Sequence, residues 1–97
     1  MKYLEFEWDE NKDQTNTKKH GVSFDEARTA FFDENAIQFF DPDHSETEDR
    51  FLLLGTSYSL NTLVVCHCYR EDETIVRIIS ARLADKDEEQ AYWGNRK

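Results

Sequence analysis

The chain has 97 residues, 38% of them hydrophobic and 13% aromatic, and sets 12 Lys plus Arg against 21 Asp plus Glu for a net charge of −9. That is apolar material for one small core, read as a single domain over residues 1–97, which excludes wholesale disorder. The longest apolar run, residues 51–55, falls far short of the ~20 residues that cross a bilayer, and the acid excess argues against binding polyanions by bulk charge.

What remains is a basic partner protein, or a local cationic patch on an acidic body. The segment from Met1 to Asp9 offers no apolar h-region and no small-residue cleavage site, so the expectation is a cytoplasmic protein without a secretory leader. Tyr3, Phe6 and Trp8 read as a strand over residues 2–8, kept partly wet by Glu5 and Glu7. Asp9 then caps a helix over residues 10–20 that closes at Gly21. No residue of that stretch is apolar, so burial does not explain it. Either it is weakly formed, or its side chains meet something other than the core. A solvated surface helix is the plain reading, and the gathered cations Lys12, Lys18 and Lys19 are the functional one.

Ser23 and Glu26 make a capping box, with Val22 placed to staple against Ala27. Phe24, Ala27 and Phe31 share one face, which predicts a short core-building helix to about Phe32. A strand over residues 36–40 is stopped by Asp41-Pro42, and the loop over residues 41–49 is the most acidic part of the chain. Strands over residues 50–57, 62–70 and 74–82, joined by short links, predict an antiparallel meander. Alternation in the last strand sets Ile75, Arg77, Ile79 and Ala81 on one face and Val76, Ile78, Ser80 and Arg82 on the other. Asp85 and Glu88 form a second capping box, and Ala91, Tyr92 and Trp93 give the final helix its apolar contact before Gly94. The order predicts an α+β fold: a strand and two helices, then a mainly antiparallel sheet with a three-strand meander and a final helix, all helices lying on one side of the sheet.

Cys66 and Cys68 are the whole thiol inventory. Two apart on a strand, they point the same way with their backbones held apart, a poor geometry for a disulfide and a natural one for reduced, buried thiols. A zinc site would need two further ligands from His20 and His44, so neither a metal nor another cofactor is expected. Arginines among Ile and Val are costly unless paired, which makes Arg77 and Arg82 informative. With Arg50, Arg70, His44 and Glu48 they supply the parts of a metal-independent ribonuclease. Cleavage by a 2′-hydroxyl needs a base, an acid and cations against the phosphorane. Glu48 or His44 fits the base, His67 or His20 the acid, and Arg50, Arg70, Arg77 and Arg82 the phosphate clamp, because guanidinium forks bind phosphate oxygens bidentately. Structural ion pairs are the alternative: Arg50 with Glu48, and Arg77 or Arg82 with an acid of the final helix. His67 reads equally as a hydrogen-bonded core or groove residue.

Phe6-Glu7-Trp8-Asp9 with Lys12 and Asn16, Lys19-His20-Gly21-Val22-Ser23-Phe24 with Ala27 and Phe31, His44-Ser45 with Glu48 and Arg50, Gly55, Ser57 and Arg70, and Arg77-Ile78-Ile79-Ser80-Ala81-Arg82 with Glu88 and Tyr92 together resemble the BrnT family. The resemblance implies the toxin half of a type II toxin–antitoxin pair, a RelE-like ribonuclease that arrests growth by cutting RNA. It also implies a BrnA-type antitoxin whose ribbon-helix-helix part binds operator DNA, so that DNA is reached only through that partner. Lys12, Lys18, Lys19 and His20 are then candidates for RNA contact. Leu60-Asn61 stands where typical members carry Gly-Arg, and Leu83 where they carry Lys; both changes remove positive charge. The alternative function is a binding module that holds a basic partner without catalysis.

Overall fold

The computed structural model describes residues 4–94. In chain order these are β1 (Glu5–Glu7), α1 (Glu10–His20), α2 (Phe24–Thr29) with a 3₁₀ turn (Ala30–Phe32), β2 (Ile37–Asp41), a second 3₁₀ turn (Pro42–His44), β3 (Arg50–Thr56), β4 (Thr62–Arg70), β5 (Ile75–Leu83) and α3 (Lys86–Gly94). Of the strand expected over residues 2–8, Lys2 and Tyr3 lie outside the described residues. The five strands form one sheet in the order β1-β5-β4-β3-β2. The meander β3-β4-β5 and the β2–β3 pair are antiparallel, while β1 runs parallel to β5, so the sheet is mixed.

Each local start signal is visible as geometry. The Asp9 carboxylate accepts from the Asn11 and Lys12 amides, and Gly21 ends α1 in the left-handed region (φ 71°), donating its N–H to Thr17 O at 2.8 Å. Ser23 Oγ accepts from the Glu26 amide at 3.0 Å, but the Glu26 carboxylate does not complete the box; it accepts instead from Ser57 Oγ at 2.7 Å and Asn61 Nδ2 at 2.8 Å. Those two partners tie α2 to the β3–β4 hairpin, a stronger claim on a half-buried carboxylate than one cap amide. The box at α3 is reciprocal, Glu88 N to Asp85 Oδ1 and Asp85 N to Glu88 Oε1, both 2.8 Å.

The all-polar α1 is tied to α2 by Asp13 Oδ1, which accepts from Phe24 N at 2.9 Å, and is docked to β5 through one amide. Asn16 is only 7% exposed; its Nδ2 donates to Val22 O (2.9 Å) and Ala81 O (2.8 Å), and its Oδ1 accepts from Ala81 N (3.1 Å). Beyond the three residues paired to β1, β5 has no strand neighbour on that side among the described residues, and the Asn16 amide takes the place of one. The expectation that this helix is not there for burial is thus corrected: the helix buries a polar group whose hydrogen-bonding capacity the strand edge matches.

The alternation expected in β5 is also corrected. Cys66 of β4 faces Ser80, but His67 faces Ile78, so Ile79 is an extra residue, a β-bulge. Because paired residues point to the same side, Val76, Ile78 and Ala81 share one face with Leu63 and Val65, and Arg77, Ser80 and Arg82 share the other. The first face is roofed by Val22, Phe24, Ala27 and Ala30 to form the main core, each large apolar side chain there contributing roughly 1.5–3 kcal/mol. Gly55 is needed on it, since a Cβ would sit 3.0 Å from Ala30 O and 3.1 Å from Ala36 Cβ. The helices are not all on one side, contrary to the expectation. Tyr92 of α3 packs on Leu54 and Val64 of the second face, drawn there by the two bonds that Arg82 donates to Glu88 and by the two-residue link after β5.

Candidate active site

Strand register places Arg50, Arg70, Arg77 and Arg82 all on the second face of the sheet. Arg77 pairs with Cys68 and with Glu7 of β1, Arg82 with Val64, Arg70 with Ile75, and Arg50 with Asp41. The bulge makes this possible: with unbroken alternation Arg77 and Arg82 fall on opposite faces.

A cleft of about 340 Å³ opens on this face between Asp41, His44, Arg50, Cys66, Ser80 and Arg82. Asp41 Oδ2 lies 2.9 Å from His44 Nδ1, which fixes the ring and leaves Nε2 as its free nitrogen among the hydrogen bonds of this loop. Ser45 Oγ ties the loop down by donating to Asp41 O at 2.5 Å and accepting from Arg50 N at 2.9 Å. Arg50 is the least satisfied cation of the set. Among the described residues its Nε is buried without a hydrogen-bond partner, and it meets Glu48 Oε2 in a long ion pair of 3.8 Å. Arg82 is gripped by Glu88 in a bidentate pair of 2.7 and 2.8 Å, which holds the Glu88 carboxyl below its ordinary range and Arg82 above its own.

At the other end of the face Glu7 Oε2 takes two guanidinium groups, Arg77 Nη1 at 2.7 Å and Arg70 Nε at 3.6 Å. Glu48 lies between the two ends: it meets Arg50 at 3.8 Å on one side and is, with Arg70 and Arg77, a charged neighbour of the Cys68 thiol on the other. Burial pushes both thiols up, Cys66 and Cys68 alike, so they stay neutral and inert beside the arginines.

A second cleft, about 390 Å³, runs along α1, where Asn11, Lys12, Lys19 and His20 face Ile79 and Ser80. The two clefts share those two bulge residues, which form a low saddle between the lysines and the arginines.

The family model described as the ribonuclease toxin BrnT of type II toxin–antitoxin systems matches residues 8–88. The chain belongs to the BrnT family. Among solved structures, it is similar to the BrnT ribonuclease toxin of Brucella abortus, determined by crystallography at 1.1 Å resolution, with 27% identity, a TM-score of 0.61, and coverage of 89% of this chain and 99% of that one. No curated protein sequence matches.

Within this BrnT-family fold the sequence candidates divide into groups. His44, Arg50 and Arg82 line one cleft; Lys12, Lys19 and His20 line the adjoining one, which Lys18 does not. Arg70 and Arg77 share the arginine face outside these two clefts, and Glu48 borders the first through Arg50 while lining a smaller one with Phe51 and Tyr69. His67 does not join them. It lies on the opposite face, fully buried and edge-on to Phe31, with Nδ1 3.0 Å from Val65 O and Nε2 2.9 Å from Gln38 Oε1, and burial lowers its pKa. Of the expected ion pairs, Arg50 meets Glu48 at 3.8 Å and Arg82 meets the final helix, while Arg77 meets Glu7. Sequence reasoning missed Asp41, Ser80 and the double role of Glu7. The available signal for Glu7 was its place two residues from Glu5 on a strand, which puts both acids on one face.

Among the described residues no helix is long and apolar enough to cross a membrane, and no group of three or more His, Cys, Asp or Glu is placed to hold a metal ion.

Proposed function

We propose that this chain is a RelE-like toxin that cuts RNA by metal-independent transesterification on its arginine face. The observation that carries the reading is Arg50 in a cleft shared with His44 and Arg82, its side chain 30% exposed and held by Glu48 only through a long 3.8 Å ion pair, so that the rest of its guanidinium has capacity for a phosphate oxygen. In the proposed reaction the Glu48 carboxylate removes the proton from the 2′-hydroxyl, the freed oxygen attacks the adjacent phosphorus, and Arg50 and Arg82 hold the non-bridging oxygens of the phosphorane. His44 Nε2 gives a proton to the departing 5′-oxygen, leaving a 2′,3′-cyclic phosphate. Asp41 supports this assignment by holding the other nitrogen of the ring. RNA upstream or downstream of the scissile bond crosses the Ile79–Ser80 saddle onto Lys12, Lys19 and His20. A BrnA-type ribbon-helix-helix antitoxin neutralises the chain in the cytoplasm, and operator DNA is bound through that antitoxin alone.

The purified chain, incubated with total RNA in EDTA, should produce fragments ending in cyclic phosphate, and Arg50→Ala and His44→Ala should each abolish them; cutting that survives both substitutions refutes the site. Expression in a bacterium should slow growth, and less so for Arg50→Ala. A second reading has its own observation: Glu7 and Glu88 already occupy three of the four arginines, as suits a binding module without catalysis. Harmless expression together with uncut RNA selects that reading.

A further inference from the structure

The two edges of the sheet are treated differently. On the β5 side the backbone left exposed beyond β1 is filled by the Asn16 amide. Among the described residues β2 is the outermost strand on the other side, and it pairs with β3 alone. Such an edge is normally blunted by Lys, an internal Pro or a bulge. Residues Ile37–Asp41 carry none of these, Pro42 coming only after the strand has ended. They carry Phe39 and Phe40 instead, 43% and 50% exposed on opposite faces.

We propose that the outer edge of β2 docks an extended, basic segment of a partner protein, which adds as a sixth strand. Charge selects the occupant. Glu34 precedes the strand, Asp43 and Glu46 follow it, and Asp41 ends it already paired with His44, on a chain of net charge −9. A second copy pairing edge to edge about a two-fold axis sets the acids at one end of β2 against those at the other, whereas lysines flanking an incoming strand meet acids at both ends. The two phenylalanines give such a strand an apolar contact on either face, and outward backbone groups give it hydrogen bonds without sequence demand. The strand runs directly into the Pro42–His44 turn, so an occupant of β2 sits at the rim of the cleft that holds His44.

The probe is an acetylated, amidated heptapeptide with two lysines at each end and Ile-Val-Ile between them, titrated into the full chain while the amide resonances of β2 are followed. Saturable binding is expected, with protection of β2 amides from exchange. Of two peptides N-methylated at alternate positions, only the one whose blocked amides face β2 should lose affinity, by about tenfold, as for one or two hydrogen bonds. Phe39→Lys should weaken binding by a similar factor with an unchanged circular dichroism spectrum. Absence of saturable binding, equal loss for both methylated peptides, or equal affinity for a peptide with Glu in place of Lys overturns the proposal. So does sedimentation showing that the chain alone dimerises and that Phe39→Lys makes it monomeric, which assigns the edge to a second copy. Binding is read directly, so a chain that proves inert toward RNA still decides the matter.

Discussion

Replacing Asn16 by Ala tests whether a polar helix is held by one side chain. The substitution deletes three buried hydrogen bonds and leaves Ala81 N and Ala81 O without partners; Val22 O keeps a long contact from Thr17 Oγ1 at 3.5 Å. At roughly 1–3 kcal/mol for each buried group left unsatisfied, the two Ala81 groups alone cost about 3 kcal/mol. A domain of this size has about 5–15 kcal/mol in total, so the loss is a large fraction. Urea unfolding followed by far-UV circular dichroism should show the midpoint falling by roughly 2 M at an unchanged slope, for m near 1.5 kcal/mol/M. Asn16→Asp keeps an acceptor for Ala81 N but aims a carboxylate at two carbonyl oxygens. It should be at least as damaging at neutral pH and recover partly in acid. A midpoint shift below about 0.5 M for Asn16→Ala refutes the reasoning and means that α1 is held by other contacts.

Three further outcomes are expected. Gly55→Ala forces its new methyl into the Ala30 carbonyl and Ala36, and should cost about 1–3 kcal/mol, read as a drop in Tm. Leu60 is left-handed (φ 67°) and 84% exposed at the β3–β4 hairpin, so Leu60→Asn should relieve about 1 kcal/mol and raise Tm by several degrees; no rise means that the turn carries no strain. Burial lowers the pKa of His67, so the unfolded chain takes up a proton that the folded chain refuses. This stability is fully present above about pH 6.5 and declines as pH falls below it, by up to ~1.4 kcal/mol per pH unit. Urea midpoints across that range should show the slope, and His67→Gln should flatten it.

The elements were legible in the sequence because their signals are local. Asp9, Gly21, Ser23 and the Asp85/Glu88 box are each read from residues within one turn, and β4 has the bounds the pattern predicts. What escaped depends on distant partners. Nothing near Asn16 announces that its amide meets Ala81, and nothing in Arg77 to Arg82 announces that Ile79 is skipped by its neighbour strand. The side chosen by α3 follows from Glu88 finding Arg82, a pairing that the excess of acids made one option among many. The candidate site was half legible for the same reason: the arginines stood out by residue type, but only register showed that they share a face and that His67 does not.

Ile79 has a consequence of a different kind. Its side chain is only half-buried and lies on the saddle, so many residues can stand there; what matters is that some residue does. Delete it and everything on one side of the gap turns over, carrying either Arg77 or Arg82 into the apolar core. The position is counted and not read. Tolerance of substitution and intolerance of a shortened strand therefore belong together at this point of the chain, and a survey of point variants alone would call it unimportant.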